Sequence, residues 1–193
     1  MADTQRLLLE AGMTMLLRQG YNDLGINALL EATNVPKGSF YHHFKSKEDF
    51  ALKTIDLYME AVHGGLDFFL GNEDVPPLQR IRNFFEATAD KYREEGYLGC
   101  LLGGLGQELS GISESFRLKV EECFGYISRR MADCLRLAVE RGDLPPTTDP
   151  KALADLLVNC WEGAALRTRM RRDPAPLRQM LDFYFRSAAL PSG

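Results

Sequence analysis

Residues 26–50 read INALLEATNVPKGSFYHHFKSKEDF, and this stretch decides the fold of the N-terminal part of the chain. In its first eight residues, the apolar side chains are spaced about as a helix requires to place them on one face. That pattern stops at Thr33 and Asn34, and asparagine tolerates a left-handed backbone. Pro36 cannot continue a helix but can open the next one. The stretch therefore predicts a helix, a tight turn and a second helix start.

The second helix has an apolar face and a polar face. Phe40 and Phe44 are four residues apart, so they share the side that anchors this helix to the preceding one. Ser46, followed by acidic residues, predicts the N-cap of a third, longer helix. The polar residues that project elsewhere are Lys37, Ser39, Tyr41, His42 and Lys45. A short helix held on one side and polar on the other suits the major groove of DNA.

This segment is basic within a chain that is otherwise acidic. Residues 35–47 contain three lysines, two histidines and no acid, whereas the rest of the chain has 20 basic against 27 acidic residues. The net charge of -4 and the pI near 5.5 exclude a general nucleic-acid binder, which is usually basic. One small basic edge offers few phosphate contacts, so two copies are needed for specific affinity. We expect a homodimer on a palindromic double-stranded DNA operator.

Candidate DNA contacts follow from position on the second helix. Residues near the start of a recognition helix reach base edges, and phosphate contacts come from its flanks. We assign base edges to Lys37, Ser39 and His42, close backbone approach to Gly38, and phosphates to Asn27, Tyr41, His43 and Lys47. The alternative for each is an ordinary solvated polar residue, and His43 beside Phe44 equally suits packing.

The segment VPKGSFYHHFKSKEDF resembles the helix-turn-helix of TetR-type transcriptional repressors. The matching positions are Gly20-Tyr21, Lys37-Gly38, Phe40-Tyr41, His43-Phe44, Ser46 and Lys47-Glu48. The resemblance implies a DNA-binding domain over residues 1–48 and a ligand-binding and dimerisation domain over residues 49–193. It also implies that the helix beginning at Lys47 couples a small-molecule effector to DNA release.

The remaining sequence is that of an all-α protein with about nine helices. Glycines and prolines mark the breaks, at Gly20, at Gly64-Gly65 or Gly71, at Pro76-Pro77, at Pro145-Pro146 and at Pro174. No apolar run approaches the roughly 18 residues of a membrane span, so we expect a cytoplasmic protein without a membrane partner. By the resemblance, residues 150–171 and 174–189 would form a four-helix dimer interface with their mates. Its apolar candidates are Leu153, Leu156, Leu157, Phe183 and Tyr184, each of which equally suits the core of one subunit.

A glycine-rich stretch supplies the second signal. Residues 97–110 read YLGCLLGGLGQELS, and four glycines there suggest a broken helix or the close approach of another group. The stretch resembles the Gly-Cys-Leu-(Leu/Val)-Gly-x-Leu-x-x-Glu motif of a TetR subgroup that responds to acrylate, N-ethylmaleimide and related electrophiles. WEGAALR, which begins at Trp161, resembles the same subgroup. The resemblance makes Cys100 the sensor; the alternative is a small buried apolar residue.

Further residues are candidates for the effector site. An aromatic wall, an amide and a guanidinium suit a small carboxylate, and they are offered by Tyr97, Gln107, Trp161 and Arg167. Trp161 equally suits the core. Arg167 and Arg169 are candidates for a cation that stabilises the thiolate of Cys100.

Other classes of protein fit the sequence less well. The four cysteines have no common zinc spacing, and we expect no metal and no cofactor. A cysteine-dependent all-α enzyme would need a base, but two of the three histidines belong to the helix-turn-helix and His63 stands alone. A helical interaction adaptor without a DNA role is the other alternative. We therefore expect a regulator that is not an enzyme.

Overall fold

The computed structural model describes residues 2–188, and all regular structure in that part of the chain is helical. Five helices cover its first half: α1 (Ala2–Gln19), α2 (Ile26–Thr33), α3 (Lys37–His43), α4 (Lys47–Leu70) and α5 (Pro77–Glu94). Four follow: α6 (Leu101–Leu109), α7 (Glu114–Glu140), α8 (Pro150–Arg171) and α9 (Ala175–Ala188). The all-α prediction is confirmed. The predicted helix end at residue 189 lies outside the described residues.

The chain forms two compact units. The first consists of the described residues up to Val62 together with Cys100–Glu121, and the second of His63–Gly99 with the described residues from Glu122 on. Helices α4 and α7 contribute residues to both units. The functional boundary between residues 48 and 49 stays a prediction.

An aromatic cluster forms the core of the first three helices. The ring of Phe40 lies 5.1 Å from Phe44 and 5.4 Å from Phe50, and all three side chains are buried. Gly12 allows this packing, because a Cβ at that position would overlap the Phe50 ring. The face predicted from the spacing of Phe40 and Phe44 is therefore the buried face of α3, and it anchors the helix against its neighbours.

Local motifs mark the end of α2 and the start of α4. Asn34 ends α2 in the left-handed region, with φ of 52°, as the sequence predicts. At the start of α4, the Asp49 amide donates to the Ser46 hydroxyl at 3.0 Å, and the Lys45 amide donates to the Asp49 carboxylate at 2.9 Å. Ser46 is thus the predicted N-cap, and Asp49 reinforces it from the first turn.

Helix α4 continues through Gly64-Gly65 and ends before Gly71, so the second of the two predicted breaks is the real one. Gly65 serves packing instead, because a Cβ there would lie 3.3 Å from the ring of Phe84. The buried Arg80 guanidinium then donates to the Leu70 carbonyl at 3.1 Å and to the Val75 carbonyl at 2.6 Å. This arginine thus binds the last carbonyl of α4 and a carbonyl of the loop that follows it.

In the second unit, α8 packs against α9. Leu157 and Tyr184 are buried in this pairing, and the Tyr184 hydroxyl donates to the Leu153 carbonyl at 2.9 Å. Leu156 and Phe183 point outward instead, with 52% and 69% of their surface exposed. The sequence could not divide these five residues between core and surface, and the packing of α8 on α9 does so. None of the helices in the described residues is long and apolar enough to cross a membrane.

Candidate DNA interface and effector site

The outer face of α3 carries most of the predicted DNA contacts. Lys37, Gly38, Tyr41 and His42 are exposed, Ser39 is half-buried, and Asn27 on α2 is exposed. Tyr41 is 54% exposed, although its ring meets Phe40 edge-on at 5.3 Å. The exposed side chain of Tyr41 leaves this residue a candidate for a phosphate contact.

His43 occupies an intermediate position at the end of α3. Its ring lies 6.1 Å from that of Phe44 and 5.1 Å from that of His42. Its carbonyl accepts a hydrogen bond from the Lys53 ammonium at 3.1 Å. The backbone of His43 thus helps to join α3 to α4, while its half-buried ring remains a candidate for either packing or phosphate contact.

Lys47, the first residue of α4, is already engaged within the protein. Its ammonium donates to the Asn22 carbonyl at 3.2 Å and lies 4.5 Å above the Tyr21 ring. Burial lowers the pKa of Lys47 from its usual value, against the opposing attraction of Glu108 and Asp23. These partners are not predictable from local sequence, because Asn22 lies 25 residues earlier in the chain.

The two acidic residues that follow the basic segment, Glu48 and Asp49, form hydrogen bonds within the protein. Asp49 accepts hydrogen bonds from the Lys45 amide and the Lys53 ammonium, and the amide bond is the main cause of its lowered pKa. Glu48 accepts a hydrogen bond from the Ser113 hydroxyl at 3.1 Å. Both carboxylates are therefore held by groups of their own unit.

Cys100 is the N-cap of α6. Its backbone is extended, with φ of -85° and ψ of 128°, and its carbonyl accepts the Gly104 amide at 3.1 Å. The half-buried sulfur lies 3.7 Å from the Tyr58 hydroxyl on α4. This contact joins the start of α6 to α4 within the first unit. Sequence reasoning missed Tyr58, which lies 42 positions away.

The segment before Cys100 has an uncommon backbone. Gly96, Tyr97 and Gly99 have positive φ values of 80°, 63° and 80°. Glycine adopts this conformation without cost, but a tyrosine there stores a modest strain. The amide of Tyr97 donates to the Tyr92 carbonyl at 2.6 Å, which holds the turn after α5.

The other predicted effector residues are divided between the two units. In the first, Gln107 is exposed on α6. In the second, Trp161 is buried, with its ring 4.6 Å from Phe85 and 6.0 Å from Tyr92. Arg167 is exposed, whereas Arg169 donates to the Leu98 carbonyl at 3.0 Å. Within its own unit, Trp161 is part of an aromatic core.

The remaining cysteines differ from Cys100. Cys123 and Cys134 are buried, the Cys134 thiol donates to the Pro77 carbonyl at 3.3 Å, and burial raises its pKa to about 11. Cys160 is exposed on α8. Among the described residues, no group of three or more histidine, cysteine or acidic side chains is placed to hold a metal ion.

A helix-turn-helix with an exposed polar recognition helix defines a DNA-binding transcriptional regulator. Comparison with protein families agrees: residues 8–54 match the model described as bacterial regulatory proteins, tetR family, and residues 77–184 match the tetracyclin repressor-like C-terminal domain. The chain belongs to the TetR family of transcriptional regulators, as the sequence predicts. Members of this family bind DNA operators and small-molecule effectors as dimers, and they are not enzymes.

Individual relatives extend over most of the chain. Transcriptional regulator AcuR of Cereibacter sphaeroides is 37% identical over 171 residues, covering 88% of this chain and 78% of AcuR. The crystal structure of a regulatory protein TetR from Rhodobacter sphaeroides is 35% identical, with a TM-score of 0.90 over 94% of this chain and 96% of that one. The reduced form of NemR from Escherichia coli is 29% identical, with a TM-score of 0.89 over 99% and 100% of the two chains.

Proposed function

We propose that this protein is a homodimeric repressor that leaves a palindromic operator when an electrophile adds to Cys100. The electrophile is either a small unsaturated carboxylate, such as acrylate, or a neutral activated alkene, such as N-ethylmaleimide. The observation that carries the proposal is the position of Cys100, at the start of α6 and 3.7 Å from the Tyr58 hydroxyl. Residues 1–48 bind DNA, and residues 49–193 bind the effector and dimerise.

Operator binding rests on the exposed face of α3. Lys37, Ser39 and His42 read base edges, and Gly38 allows close approach of the backbone. Tyr41, His43, Lys47 and Asn27 contact phosphates. Because a single unit offers few contacts, affinity comes from two recognition helices separated by a whole number of DNA turns.

Dimer formation rests on the second unit. Leu156, Met170 and Phe183 of α8 and α9 are large apolar residues that the monomer leaves exposed, at 52%, 67% and 69%. An exposed apolar face on two packed helices is typical of a subunit interface. Their pairing with the same face of a second copy gives the two-fold symmetry that a palindromic operator requires.

The reaction at Cys100 is a conjugate addition. The thiol loses its proton to solvent, and the sulfur forms a bond to the β-carbon of the alkene. The π-electron pair moves to the α-carbon, which takes a proton from water, so that a neutral thioether is the product. In the proposed reaction, the Tyr58 hydroxyl donates a hydrogen bond to the attacking thiolate. The description of a solved NemR structure as a reduced form supports thiol chemistry in this part of the family.

Intact-mass spectrometry coupled to operator release tests the proposal. The exposed Cys160 is replaced first by serine, because it would react without regulatory effect. In that background N-ethylmaleimide should add once per chain and release the operator. Cys100→Ser should abolish both effects, whereas Cys123→Ser at a buried thiol should leave them intact.

Two outcomes would contradict the covalent mechanism. Operator release that persists in Cys100→Ser would show a reversible ligand and make Cys100 structural. An adduct on Cys100 without release would show a reactive thiol that is not a sensor. Selection from a palindromic DNA library, with a salt titration, checks operator binding independently of either result.

A further inference from the structure

Glu108 lies in the last turn of α6 and ends the glycine-rich motif, yet neither operator binding nor cysteine chemistry uses it. Its two carboxylate oxygens accept from two consecutive backbone amides, that of Tyr21 at 2.8 Å and that of Asn22 at 2.6 Å. These amides belong to the turn after α1, 87 and 86 residues away in sequence. Hydrogen bonds to an ionised carboxylate are about twice as strong as neutral ones.

The turn is shaped to receive this carboxylate. Gly20 has a φ of 81°, and a Cβ there would lie 2.6 Å from a Glu108 oxygen. Only glycine therefore satisfies both the backbone conformation and the available space. The Tyr21 ring packs edge-on against Phe116 at 5.3 Å, which holds the other side of the turn.

The same turn holds Lys47. The backbone amide of Asn22 donates a hydrogen bond to Glu108, while its backbone carbonyl accepts one from the Lys47 ammonium at 3.2 Å. The Tyr21 ring lies 4.5 Å below that ammonium. A continuous path of hydrogen bonds thus joins the end of α6 to the first residue of α4, entirely inside the first unit.

We infer that Glu108 is a positioning residue for operator recognition, holding the turn after α1 and, through Asn22, the Lys47 ammonium where it binds an operator phosphate. The inference rests on the phosphate contact proposed for Lys47. It also gives α6 a regulatory role, because Cys100 caps the N-terminus of this helix and Glu108, about 12 Å further along at 1.5 Å per residue, holds the turn. A displacement of α6 at its cysteine end therefore moves the support of Lys47 at the other.

Operator affinity of the full-length protein tests this inference. Glu108→Gln keeps the shape but presents an amide donor to one of the two backbone donors, so the turn loses its support. We expect operator affinity to fall about tenfold and the slope of log affinity against log salt to shrink by about two per dimer, one phosphate contact per subunit. Glu114→Gln is the matched control, since that exposed carboxylate pairs with Arg117 at the start of α7 and should change neither quantity.

A double-mutant cycle separates positioning from general stability. Lys47→Met should lower operator affinity as much as Glu108→Gln, and the double variant should be no weaker than Lys47→Met alone. Additive losses, or wild-type affinity and salt slope in Glu108→Gln, would overturn the inference. Melting temperatures show which variants fold. If Glu108→Gln does not fold, Glu108→Asp takes its place, because this substitution withdraws the carboxylate by one methylene.

The result also distinguishes this inference from the proposed function. Unchanged operator affinity in Lys47→Met would refute the phosphate contact and the positioning role together. Loss of binding in Lys37→Ala would show, in the same assay, that recognition by α3 stands. Loss of binding in Lys47→Met but not in Glu108→Gln would refute the positioning role alone.

Discussion

Helices α3 and α6 are both short and both lie in the first unit, but they use their side chains in opposite ways. Helix α3 buries Phe40 and leaves Lys37, Tyr41 and His42 exposed to solvent. Helix α6 is bound at both ends, by the contact of Cys100 with Tyr58 and by the hydrogen bonds of Glu108 to the turn after α1. The comparison distinguishes an exposed polar surface, which recognition of DNA requires, from a helix whose two ends are connected to other elements.

The two helices also differ in what stabilises them. Three of the nine residues of α6 are glycine, which disfavours the helix by about 3 kcal/mol relative to alanine. Its leucines compensate, since Leu101, Leu102, Leu105 and Leu109 are all buried. A helix that depends on its packing rather than on its own propensity responds readily when a contact at its end changes.

The largest effect should separate the inner and outer faces of α3. Phe40→Ala should lower the free energy of unfolding by about 3–5 kcal/mol, because it removes a fully buried ring between Phe44 and Phe50. Urea denaturation followed by circular dichroism measures the change. Tyr41→Ala, on the exposed face, should change stability by less than about 0.5 kcal/mol. Equal losses in the two variants would remove the distinction between the faces.

The next largest effect should be on operator affinity, with the stability of the protein unchanged. Lys37→Ala should weaken operator binding about a hundredfold, since each subunit loses a contact of about 1–3 kcal/mol. Fluorescence anisotropy with operator DNA gives the affinity, and light scattering should show an unchanged dimer. Lys91→Ala is the control, because this exposed lysine lies on α5 and forms a long ion pair with Glu95 at 3.8 Å. Wild-type affinity in Lys37→Ala would refute the role of α3.

The cap between α3 and α4 should make stability depend on pH. The pKa of Asp49 is lowered in the folded protein, chiefly by the Lys45 amide, so its contribution is present above the unfolded value near 3.9. That contribution is lost as the pH falls through the lower folded pKa. Asp49→Asn should therefore cost about 1 kcal/mol at pH 7 and progressively less below pH 4, as measured by urea unfolding. A difference that stays constant with pH would argue against the carboxylate.

The smallest effect should strengthen α6. Gly104 lies inside the helix with open space around the position of a Cβ, so Gly104→Ala should raise the free energy of unfolding by about 0.4–1 kcal/mol. Thermal unfolding of the two proteins tests this. Gly20→Ala should have the opposite sign, because of its positive φ and the nearby Glu108 oxygen. Destabilisation by Gly104→Ala would mean that the exposed glycine has a packing role.

Local chemistry explains which features were predictable. The left-handed end of α2 at Asn34 and the N-cap at Ser46 are predictable, because both depend on residues within a few positions. The helix does not break at Gly64-Gly65, the first of the two predicted positions. The free-energy cost of two helical glycines is small beside the stabilisation that a long helix gains from packing. Of the DNA candidates, Lys47 was placed correctly at the start of α4, but its bond to Asn22 was not foreseen.

The sequence by itself determined the helices, the helix-turn-helix with its basic face, and the family. These follow from the 3.6-residue period, from turn residues and from charge, all of which act over a few positions along the chain. Only the tertiary structure decided that Tyr58 lies beside Cys100, that Glu108 supports the turn holding Lys47, and that Trp161 lies among Phe85 and Tyr92. Such contacts join residues tens of positions apart, and they form only when separate helices pack.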